Sequence, residues 1–369
     1  MRAERLKLLD FRNFSELDAN LADGINIICG DNAQGKTNFL EAVYFCATGR
    51  SHRASRDAEL VRFGCQEAHL RITVNGGQNI DAHINRTLGK KYFAVDRSPI
   101  KKLNELFGTL LVVFFSPEDL KLIKSGPSER RTFMDMEMCQ LSAAYCHELQ
   151  QYHHALKQRN ILLKAIPKDR TLTETIFIWD EHLCALGRQI MKYRAEFACE
   201  IDAAARVLHA RMTGGAETLA VKYLPNVQDA AHYADKLRRS LERDIQSGST
   251  AVGVHKDDLL FTVNGNEARI YGSQGQQRTA ALAAKLAEAE LIRLHKKASP
   301  VILLDDVLSE LDLRRQSFLL EHLAGSQTVV TCTGIEDISK IFNGQASVSE
   351  MNFSRINVME MKAGKIFAA

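Results

Sequence analysis

A chain of 369 residues is longer than one hydrophobic core usually spans, which excludes a single small domain and favours two compact lobes. With 45% hydrophobic and 25% charged residues, it is neither disordered nor fibrous. The net charge is only +3, from 48 Lys and Arg against 45 Asp and Glu, so any nucleic-acid surface must come from local clusters of basic residues.

The first thirty residues read as strands, Arg5-Leu6-Lys7-Leu8 by alternation and Gly24–Gly30 as a β-branched run closed by glycines. A helix is expected from about Lys36, with Phe39, Leu40, Val43 and Tyr44 on one stripe. Residues 69–115 carry further strand signals around Gly76-Gly77 and Gly89, a β-rich subdomain. From Ser116-Pro117 to about Ser249 apolar residues recur at helical spacing, without heptads long enough for an extended coiled coil. Strands return after residue 250 (Leu259–Val263, Val301–Leu304, Thr328–Thr331), alternating with helices near 276–297 and 312–324. Such alternation predicts a parallel α/β sheet, resumed after a helical insertion. The expected division is residues 1–115 and 250–369 as the two parts of one lobe, with 116–249 as an inserted helical lobe.

The eight cysteines form no CxxC pair and mostly sit in apolar runs, as buried free thiols of a reducing compartment would. No stretch has signal-peptide or membrane-span character, and the longest apolar run, Leu106 to Phe115, is broken by Gly108. A soluble, cytoplasmic protein is expected. His153-His154 and the cysteines lack metal-ligand spacing, so no zinc site is assigned from spacing.

Gly30-Asp31-Asn32-Ala33-Gln34-Gly35-Lys36-Thr37 fits GxxxxGK[ST] between a buried strand and an amphipathic helix, where a phosphate loop requires it. Glycines let the backbone wrap phosphate oxygens, Lys36 reaches the β and γ phosphates of ATP, and the Thr37 hydroxyl faces Mg²⁺. Val301-Ile302-Leu303-Leu304-Asp305-Asp306 is an apolar strand ending in two carboxylates. Asp305 is expected to hold Mg²⁺, and Asp306 to orient or deprotonate the attacking water; the bland alternative makes Asp306 a cap for the helix near 312–324. Tyr271-Gly272-Ser273-Gln274-Gly275-Gln276-Gln277-Arg278-Thr279 precedes an Ala- and Leu-rich helix. Ser273 and Gln276 have capping-box spacing, an ordinary helix start, yet such a bare helix end also suits an anion.

These three motifs resemble the ATP-binding-cassette class of P-loop ATPases, in which a signature serine of one subunit caps the γ-phosphate held by the other. The signature residues here would be Ser273, Gln274, Gly275 and Gln276, acting in trans, and Ser309-Glu310-Leu311-Asp312 looks like the class's D-loop. With Leu9-Asp10-Phe11-Arg12-Asn13-Phe14, the phosphate loop running on to Asn38, and Gly253-Val254-His255-Lys256-Asp257-Asp258, the pattern more closely resembles the RecF family. That family is similar in fold to SMC heads without long coiled arms. The resemblance implies an ABC-type ATPase head with a β-rich subdomain and an inserted helical lobe. It further implies a weak ATPase serving as a switch, an ATP-dependent homodimer that binds duplex or gapped DNA, and action with RecR and RecO to load RecA in gap repair, replication restart and the SOS response. It places Arg12 near the nucleotide phosphates, where a surface-loop role is the alternative. Two departures stand out: Asp306 replaces the usual Glu, which predicts slow hydrolysis, and Thr331-Cys332-Thr333 stands where the class commonly has a switch His. No Gln is identified at the junction Ser116-Pro117-Glu118-Asp119.

Among basic residues, Lys90, Lys91, Lys101, Lys102, Arg130 and Arg131 are candidate DNA contacts, with a solvated face as the alternative for each. A transporter ATPase shares all three motifs, but 237 positions separate Lys36 from Ser273, more than a compact transport ATPase inserts. A P-loop small-molecule kinase leaves the signature turn unexplained.

Overall fold

Alternating burial along the first strands, with Leu6 and Leu8 inside and Arg5 and Lys7 outside, builds an antiparallel sheet with one wet face. In the computed structural model, which describes residues 1–333 and 356–368, the chain divides into two compact units, Met1–Asp119 with Glu288–Ala369, and Leu120–Ala287. Strands and helices are numbered along the chain.

The first unit holds two six-stranded sheets. One has the order β2 (Phe14–Asn20), β1 (Ala3–Phe11), β4 (Glu67–Val74), β5 (Gln78–Asn85), β6 (Lys90–Val95), β7 (Ser98–Pro99), every pair antiparallel. The other runs β15 (Lys365–Ala368), β14 (Ile356–Lys362), β3 (Ile25–Cys29), β13 (Thr328–Cys332), β12 (Val301–Asp305), β8 (Val112–Phe115). It is parallel except for β15, and its central strands are buried almost throughout, as strands covered on both faces must be. Helix α1 (Lys36–Thr48) is apolar on most of its circumference. One core joins its Phe39, Leu40, Val43 and Phe45 to Leu6, Leu8 and Ile72 of the first sheet and to Ile28, Leu303 and Val329 of the second. The parallel pairing β3–β13–β12 brings the ends of β3 and β12 to the same edge, each followed by one of the predicted motifs.

The second unit carries α2 (Lys121–Lys124), α3 (Pro127–Leu141), α4 (Ala143–Ala165), the 38-residue α5 (Ile176–Thr213) and α6 (Tyr233–Ser247). It also holds a three-stranded antiparallel sheet in which β10 (Asp258–Val263) lies between β9 (Leu219–Leu224) and β11 (Asn266–Glu267). After α7 (Ala268–Tyr271), α8 (Gln274–Lys296) starts in this unit, and the division falls within it. Two expectations are corrected here. The strand at 259–263 does not join the parallel sheet, because it pairs in antiparallel register with β9, a strand the sequence reading passed over. For the same reason the second unit extends beyond residue 249, to Ala287. Helix α9 (Leu313–Leu323) completes the first unit's long helices among the described residues, and all eight cysteines are free thiols.

Candidate functional site: a phosphate loop and its acidic strand

The loop between β3 and α1 is shaped by glycines at backbone angles that other residues rarely adopt. Gly30 has φ +153°, and a Cβ there would collide with the Met361 carbonyl. Gly35 has φ +113°, and its Cβ would lie 2.5 Å from the Asn13 amide. Lys36 is buried and turns back over the loop, its Nζ donating to the carbonyls of Gly30 (2.5 Å) and Asp31 (2.8 Å). Gln34 accepts from the backbone N–H of Ala363 through Oε1 (2.6 Å), while its carbonyl accepts from Asn13 Nδ2 (2.9 Å). Asn38 donates to Asn13 Oδ1 (2.6 Å), so the Asn13 side chain ties the end of the loop to the first turn of α1.

Thr37 and Asp305, 268 positions apart in sequence, meet here. Thr37 Oγ1 donates to Asp305 Oδ1 at 2.9 Å. Thr331 Oγ1 donates to the same oxygen at 2.9 Å and accepts from the backbone N–H of Asp306 at 3.1 Å. Burial pushes the Asp305 carboxyl above the usual range, the two hydroxyls work against that shift, and the Asp306 charge adds to it. Asp306 is exposed and sits at φ +52°, the left-handed turn that ends the strand. It does not cap α9; Asp312 does, accepting from Arg315 N at 3.0 Å. Ser309 Oγ donates to the Asp306 carbonyl (2.8 Å), holding the turn.

Arg12, in a left-handed conformation at φ +53°, makes a two-pronged contact with Glu41 of α1 at 2.8 Å on each oxygen and donates to the Glu59 carbonyl at 3.0 Å. Arg53 reaches the same carboxylate at 3.1 Å and also bonds Asn38 of the loop's helix. Burial works to raise the Glu41 pKa, but bonds from Arg12, Arg53 and Ser51 outweigh it and bring it down to about 2. Sequence reasoning singled out Arg12 and missed Glu41 and Arg53 as its neighbours. The one signal available was that Glu41 is the lone carboxylate of α1, set in the apolar stretch Phe39–Val43.

The signature turn lies in the second unit. Ser273 Oγ accepts from Gln276 N (3.2 Å) while Gln276 Oε1 accepts from Ser273 N (2.9 Å), a reciprocal capping box at the start of α8. Gln276 Nε2 donates to Glu217 (2.9 Å), and Gln277 Nε2 to the Ala268 carbonyl (2.9 Å). Ser273 and Gln274 remain exposed.

Three of the candidate DNA contacts make internal bonds. Arg130 is buried and holds Asp258 through two bonds (2.6 and 2.9 Å), which makes it structural. Arg131 donates to the Asp257 carbonyl (2.9 Å). Lys91 donates to the Gly49 carbonyl (2.7 Å), pairs with Asp57 (2.9 Å) and lies over the Phe45 ring. Lys90, Lys101 and Lys102 are exposed.

A loop–helix–acidic-strand arrangement on a mostly parallel sheet, in a unit that also holds an antiparallel sheet, defines an SMC-like P-loop ATPase head. The RecF/RecN/SMC N-terminal domain family matches residues 2–349. A DNA replication and repair protein RecF of Lachnospira eligens is 49% identical over 356 residues, 93% of this chain and 97% of its own. A solved structure of the recombination mediator protein RecF-ATP in the RecFOR pathway is 31% identical with TM-score 0.89, covering 100% of this chain and 97% of that one. An Smc head domain of Pyrococcus furiosus, 17% identical over 100% of this chain and 96% of its own, has TM-score 0.53 and shows the shared fold. The chain belongs to the RecF family.

Proposed function

We propose that this protein is an ATP-gated DNA-binding protein of recombinational gap repair and replication restart, acting as a homodimer with RecR and RecO to help load RecA. The observation that carries the nucleotide part is the meeting of Thr37 and Asp305 beneath a glycine-shaped loop with Lys36 folded over it. The residues present fit ATP and Mg²⁺. Gly30 and Gly35 keep the loop free of side chains, and Thr37 and Asp305 offer the hard oxygens that Mg²⁺ prefers. Bound there, Mg²⁺ would neutralise charge on the phosphate oxygens.

Lys36 exchanges its two loop carbonyls for phosphate oxygens, which keeps its charge compensated. Asp306, exposed at the strand's end, takes the proton of the attacking water. Its side chain is one methylene shorter than Glu, so turnover is slow and binding is the switch. Ser273 and the start of α8 supply an anion-binding helix end to a partner subunit's nucleotide. DNA contact falls to local clusters, of which Lys90, Lys101 and Lys102 are open to solvent. The transporter reading is not favoured, since relatives matching over nine-tenths of the chain are DNA replication and repair proteins.

Gel-shift series with duplex, gapped and single-stranded DNA, each with and without ATP, test this. ATP-stimulated, salt-sensitive retention is expected, and replacing Lys101 and Lys102 together by Ala should flatten the log–log salt slope by up to about 1.8, at about 0.9 per phosphate contact. Equal retention on every DNA with and without ATP would refute the gating.

A further inference from the structure

On the open face of the first sheet, apart from every residue of the nucleotide site, β4 and β5 bring together Glu67, His69 and His83. Antiparallel register sets His69 directly opposite His83, and Glu67 lies two residues along β4 on the same face. The two imidazole rings are stacked, with centroids 4.5 Å apart and planes 3° from parallel. Glu67 Oε2 lies 3.8 Å from His69 Nε2 and 3.2 Å from His83 Nε2. One nitrogen or oxygen from each of the three residues falls within 4.8 Å of the other two, the one such group of His, Cys and acidic side chains among the described residues.

We propose that these three side chains form a binding site for a divalent transition metal of the Zn²⁺ type. Three further features support it. Asn85, the register partner of Glu67, donates Nδ2 to Glu67 Oε1 at 2.6 Å and so leaves Oε2 turned to the imidazoles, the orienting contact that bound carboxylates receive. His83 Nε2 is shielded from water and makes no hydrogen bond, its 3.2 Å approach to Glu67 being misaligned, so a buried nitrogen there lacks a partner that a metal would supply. Neighbouring cations are already compensated: Arg71 is held by Asp81 at 2.5 Å, and Lys7 by Asp18 at 3.3 Å.

The donor set selects the ion. Two imidazole nitrogens and one carboxylate oxygen suit Zn²⁺ and its neighbours, whereas Mg²⁺ and Ca²⁺ require oxygen ligands. Bonds of about 2.0–2.1 Å in a tetrahedron place donor atoms about 3.3 Å apart, close to the 3.2 and 3.8 Å separations here. The stacked rings need only turn their Nε2 atoms towards a common point above Glu67. Three protein ligands leave the fourth position to water or to a donor from outside, as an exposed sheet face allows.

The test is calorimetric titration of the metal-free full chain with ZnCl₂ alone, alongside a His69→Ala/His83→Ala variant and the near-isosteric Glu67→Gln. Exposed Cys199 can also take Zn²⁺, so the comparison is made in a Cys199→Ser background. Wild type is expected to bind one equivalent more than the double variant. Glu67→Gln and Asn85→Ala should weaken that equivalent about 10–100-fold. Co²⁺ should give a ligand-field absorption in wild type that the double variant lacks. Equal stoichiometry in wild type and double variant overturns the proposal. Should the double variant fail to fold, unchanged Zn²⁺ affinity in folded Glu67→Gln overturns it equally.

Discussion

Asp305 and Asp306 are adjacent in sequence and live in opposite environments, as the separate roles proposed for them require. Asp305 is drawn inward, receiving Thr37 and Thr331 on one oxygen, while Asp306 turns to solvent through a left-handed backbone. Asp306→Asn is expected to keep ATP-stimulated DNA binding and to lose turnover; hydrolysis at the parent rate in a phosphate-release assay would remove Asp306 as the base. Glu41 gives a second test. Its pKa in the folded chain, about 2, lies below the ordinary 4.5, so its contribution is full above pH 4.5 and is lost as pH falls towards 2. A shift of that size corresponds to about 3 kcal/mol. Glu41→Gln should therefore lower stability at neutral pH and show a shallower further loss between pH 4.5 and 3 in urea melts. The phosphate loop, Thr37 and Asp305 were legible because each motif has a spacing that chemistry dictates. Glu41 was not, since a carboxylate on a helix normally marks the wet face, and only the first sheet, by bringing Arg12 over α1, makes that position interior.

The segment Gly253–Asp258 shows what a motif can do apart from ligand chemistry. Gly253, at φ +138°, leaves room for the hydroxyls of Tyr152 and Tyr233, which a Cβ would strike. Tyr152 OH donates to His255 Nδ1 (2.8 Å), and His255 Nε2–H donates to the Thr250 carbonyl (2.9 Å). Burial lowers the His255 pKa to about 4, so its neutral form stabilises the fold above pH 6.5, an advantage lost as pH falls through 4. Asp257 accepts from Arg194 (2.8 Å), Tyr223 and Asn226 N (2.8 Å), while Asp258 holds Arg130. One short turn thereby ties α3, α4, α5, β9 and β10 together. Arg194 is 1% exposed and also binds Asp135 (2.7 Å). Arg194→Met should cost about 3–5 kcal/mol in denaturant titration, because two carboxylates lose their shared cation. The exposed Arg238, 3.7 Å from Asp235, serves as control, and Arg238→Ala should change stability by less than about 0.5 kcal/mol. Helices and strands were largely readable from periodicity, but their pairing was not. The alternation Leu219, Val221, Tyr223 in β9 is visible only once β10 is known to lie beside it, and periodicity carries no strand direction.

The sequence order of the motifs hides their distribution over the chain: the phosphate loop and acidic strand belong to the first unit, and the signature turn belongs to the second. Ser273 is exposed at the start of α8, already satisfied by its own capping box, so its availability to an anion depends on what a second subunit presents. If each nucleotide site is built from the Lys36 of one chain and the Ser273 of its partner, two different lesions complement. Lys36→Ala and Ser273→Arg proteins should each fail to trap ATP alone. In a mixed dimer, one site unites both lesions, and the other unites an intact phosphate loop with an intact signature turn. Filter-binding of labelled ATP should then recover towards one competent site per mixed dimer, with the recovered fraction following the statistical share of mixed dimers as the mixing ratio is varied. A site built within a single chain could not recover at any ratio. A mixture that stays inactive although subunit exchange is demonstrated would place the signature in cis or require both sites to close together, and a linked dimer carrying only Ser273→Arg on one half separates those two by retaining one site in the first case and none in the second.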